Sequence, residues 1–383
     1  MAPPQIDSKL PNVGTTIFTV MSKMAQDNNA INLSQGFPDY QVPKGLLDAM
    51  QKYLHGNYNQ YPPMAGVPYL REQIAAKTSR LYAADVDIED EITVTSGATE
   101  ALFVAIQTVV RPGDEVIVLD PCYDSYEPGI TLAGGKTVHV PLAADFTLDA
   151  ERLKDAISDK TRLIMLNTPH NPSGSVFSLD ELHTLSDLVE NRHIFLISDE
   201  VYEHMVYDNA QHHSLVSLPV LRDRSFVISS FGKTYHATGW KVAYCLAPPS
   251  LTAEFRKIHQ FVTFTTHTPT QWALADYMEH HPEHFEELPR FYQQKRDLFL
   301  DAMAQSRFDM RPSAGTYFQL ANYSALSSEP DQRFVEYLTK VVGVAAIPVS
   351  VFYDSPPNQC LIRFCFCKDD TTLEGAAERL SAL

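Results

Sequence analysis

Cysteine is scarce in this 383-residue chain, and its spacing builds no framework. There are five cysteines, an odd count, and no CxxC pair. Cys365 and Cys367 share one face of the strand-like run IRFCFC. A disulfide scaffold is not expected at this length, and reduced thiols in the cytoplasm are. The fourteen histidines include no HExxH and no His/Cys cluster, so no metal is expected. Basic residues are also few: 30 Lys and Arg stand against 47 Asp and Glu, a formal charge of −17. Such a surface repels phosphate backbones and argues against nucleic acid as a partner. It does not exclude a small anion, because local donors outweigh net charge. No GxGxxG follows an early strand, which weighs against a dinucleotide-binding domain. No apolar run approaches a membrane span, and MAPPQIDSKLPNVG lacks the basic segment and apolar core of a signal peptide, so no membrane partner is expected. Internal repeats and low-complexity tracts are missing too.

The 44% of apolar residues supplies a real core, and the length suits two domains. Residues 1–45 read as an arm that joins part of a small domain, with a short helix around 18–25. Residues 46–280 read as a large domain, with helices at 46–54, 70–82, 98–110 and 149–158. Its apolar strands VIVLD, LIMLN, IFLIS and FVISS are uninterrupted rather than alternating, and helices lie between several of them. That pattern predicts an α/β fold with a mostly parallel sheet covered on both faces. Residues 281–383 read as a smaller α+β domain, opened by a long helix near Pro282.

In open α/β sheets, ligands collect at the carboxyl ends of the strands. The polar clusters sit there: SGAT (96–99), DPCY (120–123), NTPHNPSG (167–174), SDEVY (198–202) and SSFGKTYHATGWK (229–241). Lys233 follows a buried-type strand. It is either a solvated charge or a cleft amine whose depressed pKa suits it to Schiff-base formation and proton transfer. Ser230 and Lys241 look like a phosphate clamp. Gly97 allows a tight turn, after which Ala98 and Thr99 open a helix whose free N–H groups either hold a phosphate or are simply capped. Asp199 is costly at a strand end unless paired, by capping, by a salt bridge or by a protonated ring nitrogen, and on composition alone Glu200 is equally eligible. Tyr202 and Asn171 are placed to donate to a phenolate oxygen, although Asn beside Pro is also an ordinary turn residue. Tyr123 either stacks on a flat ring or packs in the core. Arg363 interrupts the apolar run LIRFCF and either snorkels or presents its fork to a carboxylate. His170 and His236 receive no role.

Over essentially its full length, the chain resembles the pyridoxal-phosphate aminotransferases of fold type I, class I/II. The segments NTPHNPSG, SDEVYEH and SSFGKTYHATGWKVAY carry that resemblance, the last most specifically. LPNVGTTIFTVMSKMA, INLSQGFPD, NQYPPMAGVPYLRE and GVAAIPVSVF are similar to the methionine aminotransferase branch, near the kynurenine aminotransferase/glutamine transaminase group. The resemblance implies a three-layer architecture with a seven-stranded sheet and pyridoxal 5′-phosphate as cofactor. It implies that Lys233 carries the cofactor covalently and moves the substrate proton, and that Asp199 faces the ring nitrogen. Asn171 and Tyr202 would serve the phenolic oxygen, and Tyr123 would stack on the ring. Ala98, Thr99, Ser230 and Lys241 would hold the phosphate; the family commonly has arginine at the last position. Tyr61 would reach the phosphate of a neighbouring subunit, which implies a homodimer with shared sites. Arg363 would hold the substrate carboxylate near Gly36 and Asn171. Phe18 occupies a position where the kynurenine group has a large aromatic. VTFTTHTPTQ (262–271) lacks the arginine with which aspartate-type enzymes bind a second carboxylate. The implied activity is ping-pong transamination of methionine or other large neutral or aromatic amino acids. The alternative is a kynurenine/glutamine-type transaminase with cysteine-conjugate β-lyase activity.

Overall fold

The strands of the computed structural model, which describes residues 4–383, begin with the two-residue β1 (Ile31–Asn32). The first three residues of the expected arm lie outside the described residues. Next come β2 (Ile92–Thr95), β3 (Glu115–Asp120), β4 (Lys136–Pro141), β5 (Thr161–Asn167), β6 (Phe195–Asp199), β7 (Ser225–Ser230) and β8 (Ala243–Leu246). These seven form one sheet in the order β2-β8-β7-β6-β5-β3-β4. Every pairing is parallel except those of β8, which runs antiparallel to β2 and β7.

The uninterrupted apolar strands have a direct structural cause. Successive side chains of a strand point to opposite faces. In β3, Val116 and Val118 enter one core while Ile117 and Leu119 enter another. In β5, Leu163 and Met165 divide from Ile164 and Leu166 in the same way. The helix Ala98–Val109 covers the first face with Leu102, Ile106 and Val109. The helix Leu179–Val189 covers the second with Leu182, Leu185 and Val189. Both faces are therefore buried, the condition that removes polar alternation.

A third core is built on β9 (Phe318–Asn322), β10 (Val344–Ala345), β11 (Ile347–Pro348) and β12 (Leu361–Cys365). The strands β11-β12-β9 form an antiparallel sheet, and β10 pairs in parallel with β1 from the arm. The helices His284–Ala302 and Asp370–Ser381 pack there through Phe299, Leu373 and Leu380. In the arm, Thr16 caps the helix Ile17–Asp27 by accepting from the Thr19 N–H at 3.3 Å. Met21 and Ala25 of that helix are buried, which orients Phe18 beside them.

Two elements differ from the sequence reading. The helix Tyr126–Ala133 falls in a stretch to which the sequence reading assigned no element. Pro128 is in the first turn, where the N–H groups lack intrahelical partners anyway, so it breaks nothing. The four-residue β8 follows Lys241 so closely that the loop chemistry masked it. Among the described residues, no helix is long and apolar enough to cross a membrane.

Candidate active site

Parallel strands bring their carboxyl ends to one edge, and there β5 ends in Asn167, β6 in Asp199 and β7 in Ser230. A cavity of about 330 Å³ opens at that edge. All the site residues expected from the sequence line it except Tyr61.

Lys233 sits in the single helical turn Phe231–Thr234 that follows β7. Its Nζ donates to the Gly36 carbonyl at 3.4 Å and lies 5.7 and 5.6 Å from the ring centres of Tyr202 and Tyr317. Burial favours the neutral amine and lowers its pKa. Asp199 is also buried. Tyr126 donates to its Oδ2 at 2.8 Å, and the Val201 N–H approaches Oδ1 at 3.4 Å. Burial raises its pKa to about 6, against the opposing effect of the Tyr126 hydrogen bond. Asn167 ties the strand ends together. Its Nδ2 donates to the Asp199 carbonyl at 2.8 Å, and its Oδ1 accepts from the Asn171 N–H at 2.7 Å. Tyr202 is buried, and burial raises its pKa. Burial likewise pushes Tyr123 up to about 12.

At one end of the cavity, Gly97 (φ 86°, ψ 162°) precedes the helix Ala98–Val109, which has no side-chain cap. Its first N–H groups and dipole favour an anion. A Cβ at Gly97 would lie 2.9 Å from Lys241 Cε and 3.1 Å from its Nζ, so glycine is what lets the lysine cross the helix start. Ser230 also lines the cavity. Below the turn, Glu100 accepts from the Ser96 N–H at 2.8 Å and meets His259 Nδ1 at 2.8 Å, which fixes its position.

At the other end, β12 presents Arg363, which is 1% exposed; the snorkelling alternative is thereby ruled out. Nη1 donates to Asn171 Oδ1 at 2.6 Å and Nη2 to the Ser34 carbonyl at 3.2 Å, whereas Nε has no partner. The guanidinium carbon lies 3.8 Å from the Phe318 ring centre and 5.4 and 5.5 Å from those of Phe18 and Phe352. Phe18 stands 6.5 Å from Tyr123 and 6.0 Å from Phe352, making an aromatic wall. Gly36 approaches both Lys233 and Tyr317, whose hydroxyl donates to its carbonyl at 2.5 Å.

Tyr61 lies elsewhere, 85% exposed and edge-on to Phe264 at 5.5 Å. Sequence reasoning gave no role to Gln35, Tyr126, Asn167, Tyr317, Phe318 or Phe352. Asn167 heads a cluster already marked as polar, and a strand-terminal amide was the available signal. Gln35 donates to the Phe18 carbonyl at 2.7 Å and also to Ser22 Oγ, a contact made only in three dimensions.

Comparison with known proteins bears on this arrangement. Residues 28–380 match the model of the family described as aminotransferase class I and II. The chain is 51% identical over 377 residues to the methionine aminotransferase of Escherichia coli (strain K12), with 98% of each chain covered. It is 36% identical to a kynurenine–oxoglutarate transaminase of Dictyostelium discoideum, covering 97% of this chain and 94% of that one. Among solved structures, YbdL from Escherichia coli, described as having a methionine aminotransferase function, superposes with a TM-score of 0.98 at 50% identity over 100% of both chains. N-Succinyldiaminopimelate aminotransferase from Mycobacterium tuberculosis gives 0.95 at 38% identity, covering 99% of this chain and 100% of that one. The family match spans both the large sheet and the strand that carries Arg363, and the chain belongs to the class I and II aminotransferases, a family dependent on pyridoxal phosphate.

Proposed function

We propose that this aminotransferase takes the amino group of methionine, and of other large neutral or aromatic amino acids, and passes it to a 2-oxo acid, with pyridoxal 5′-phosphate held in the cavity described above. The observation that carries the reading is a part-buried lysine amine that shares one cavity with an anion-favouring helix start and a buried arginine fork.

The side chains fit such a cofactor. Lys233 forms no ion pair among the described residues, and its amine is free for covalent attachment. Asp199 keeps Oδ1 lightly engaged, suited to a ring N–H. The turn at Gly97 leaves room that a side chain would fill. When bound, the cofactor supplies an electron sink for charge developing at the substrate α-carbon. Lys233 would hold it and would carry the proton at that carbon, a task helped by its lowered pKa. Asp199 keeps the ring nitrogen protonated. Asn171 spends its Oδ1 on Arg363 and retains an amide donor for the phenolic oxygen, beside Tyr202. Tyr123 would stack on the ring. Ala98, Thr99, Ser230 and Lys241 take the phosphate, and Lys241 offers a point charge where arginine would offer a fork.

Arg363 takes the substrate carboxylate, with Gly36 and Asn171 beside it. Apart from the two cofactor-directed lysines, it is the cation lining the cavity, so a distal carboxylate finds no partner. Phe18 and Tyr123, which line the cavity, suit an apolar side chain, and a flexible thioether fits irregular apolar space. The name of the Escherichia coli relative points to methionine within that class. The same aromatic wall, together with the kynurenine transaminase relatives, favours a second reading: a kynurenine/glutamine-type transaminase with cysteine-conjugate β-lyase activity.

A panel of amino donors compared by kcat/KM, run with a pyruvate-release assay, tests both. Methionine and phenylalanine should exceed aspartate, with parallel double-reciprocal plots. Aspartate leading the panel overturns the pocket assignment, and pyruvate release without transamination moves the protein to the lyase reading. Borohydride reduction should label the peptide containing Lys233.

A homodimer is part of this proposal. Tyr61, Phe261 (86% exposed), Val262 and Phe264 leave apolar surface uncovered, as a second copy would require. Tyr61 would then serve the partner's phosphate site. Sedimentation at low concentration tests this, and a fully active monomer refutes it. The cores favour domains at 46–280 and 281–383, with residues 1–45 as an arm and part of the small domain: Met21 and Leu33 enter the small-domain core, as do Tyr202, Met205 and Tyr207 from the large one, and Phe285 enters the large-domain core. Five free cysteines support a reducing, cytoplasmic location.

A further inference from the structure

Beyond the cavity, the sheet assembles a second group of chemically active side chains. In the parallel register of β3 and β4, Val118 pairs with His139 and Asp120 with Pro141. Asp120 and His139 therefore stand on one face as diagonal neighbours. His139 Nδ1 lies 2.9 Å from Asp120 Oδ1. Two residues past Asp120, the Cys122 N–H donates to the Phe352 carbonyl at 2.7 Å, which anchors the loop and turns the thiol back to this pair. One ligand atom from each of Asp120, Cys122 and His139 lies within 4.8 Å of the other two.

We propose that Asp120, Cys122 and His139 form a binding site for a divalent cation of the zinc class, separate from the cavity that contains Lys233. A carboxylate, a thiolate and an imidazole together select zinc or cobalt over magnesium or calcium. A tetrahedral metal spaces such ligands roughly 3–4 Å apart, so small side-chain rotations suffice. Three protein ligands leave a fourth position for water. Asp120 is buried and held from outside, because the Asp354 N–H donates to its Oδ2 at 3.1 Å. His139 and Cys122 are part-exposed, which gives a cation a route in. The other charges facing the pair are negative: Asp354 and Glu127 toward His139, and Glu127 and Asp124 toward Cys122. Binding replaces the thiol proton with the metal and releases that proton to solvent, with no change in oxidation state. Linear spacing hides the site, because its ligands come from the end of β3, the loop that follows it and β4, with the helix Tyr126–Ala133 between.

The test is a cobalt(II) titration of the holoenzyme, read as a difference spectrum for thiolate-to-cobalt charge transfer and as metal content after gel filtration. The expected result is one cobalt per chain with a saturable near-ultraviolet band that zinc abolishes. C122S should lose the band, and H139Q should bind at least about tenfold more weakly. Circular dichroism checks that each variant is folded, and either variant alone suffices if the other is not. Absence of a saturable band reduces the Asp120–His139 contact to a plain ion pair and overturns the proposal. A band that survives in both variants does so as well, because it places the metal elsewhere, for example at the Cys365 and Cys367 sulfurs 3.1 Å apart.

Discussion

Replacing Arg363 by lysine separates the shape of the cation from its charge. The native fork is held by Asn171 Oδ1 at 2.6 Å, by the Ser34 carbonyl at 3.2 Å and by the Phe318 face at 3.8 Å. Its Nε remains without a partner. A lysine keeps one positive charge in the same buried place but can no longer offer two parallel N–H groups to a carboxylate. The loss is one charge-assisted hydrogen bond, roughly 1.5–3 kcal/mol. Weaker stacking on Phe318 adds about 0.5–1 kcal/mol. A total near 3 kcal/mol corresponds to roughly a 150-fold fall in kcat/KM, since about 1.4 kcal/mol is tenfold. The carboxylate is bound in both ground and transition states, so much of the loss should fall on KM. Methionine and phenylalanine should lose the same factor, because the carboxylate is common to both. Steady-state kinetics with both donors, alongside a thermal melt to confirm folding, is the assay. A fall of less than about threefold, or a loss confined to one donor, refutes the assignment of Arg363 to the α-carboxylate.

Other consequences are equally direct. Asp199→Asn removes a buried carboxyl whose pKa burial raises to about 6; the native proton is held more tightly than in the unfolded chain, so ionisation destabilises the cofactor-free protein by up to about 3 kcal/mol as pH rises from about 4 through 6. Cofactor-free D199N should therefore melt higher than wild type at pH 8 and nearly equal to it at pH 4, although its transamination is lost; a lower melting point at pH 8 would contradict this. Gly97→Ala forces a side chain to within 2.9 Å of Lys241 Cε at φ 86°, so cofactor affinity should drop at least tenfold, measured by equilibrium dialysis, and unchanged affinity would separate Lys241 from the phosphate site. Lys77→Met strips the partner, at 2.7 Å, from Glu203: burial alone raises that carboxyl, but the Lys77 ammonium, with His204 and the Tyr82 hydroxyl, more than reverses it and holds it well below the usual range. Denaturant titration should show a loss of about 3–5 kcal/mol, and a change below 1 kcal/mol would mean that Tyr82 and Tyr244 satisfy Glu203 unaided.

The parallel sheet was legible because burial on two faces leaves a compositional trace along each strand, as in LIMLN and IFLIS. The polar residues that close those strands were legible for the same reason, since each stands out against its own run. Lys233, Asp199 and the Gly97 turn belong to that group, and the cavity gathers them. Other features had no local trace. Tyr126 reaches Asp199 from a helix in a stretch to which the sequence reading assigned no element. Gln35 and Tyr317 meet the site from segments far apart in the chain, where glutamine and tyrosine carry no positional signal. The Lys77–Glu203 pair joins the helix Pro68–Tyr82 to the loop after β6, and each residue alone reads as a surface charge. Arg363 was ambiguous because the interruption of an apolar strand announces a special residue without saying whether it faces inward.

The alternation of β3 and β5 between two cores also bears on how the chain finds its frame. In a half-exposed strand, a one-residue slip drives apolar groups into water and is rejected by that alone. Here the same slip would merely exchange one oily side for the other, and hydrophobicity would be almost blind to the error. Discrimination falls to the punctuation at the strand ends. Shifted by one, Asn167 would leave its place opposite Asp199 and surrender its bonds to the Asp199 carbonyl and the Asn171 N–H. Asp199 would likewise part from Tyr126 or strand its carboxylate. The residues offered to the cofactor thus serve as full stops for the folding chain, and substitutions at them should be read for misalignment as well as for lost chemistry.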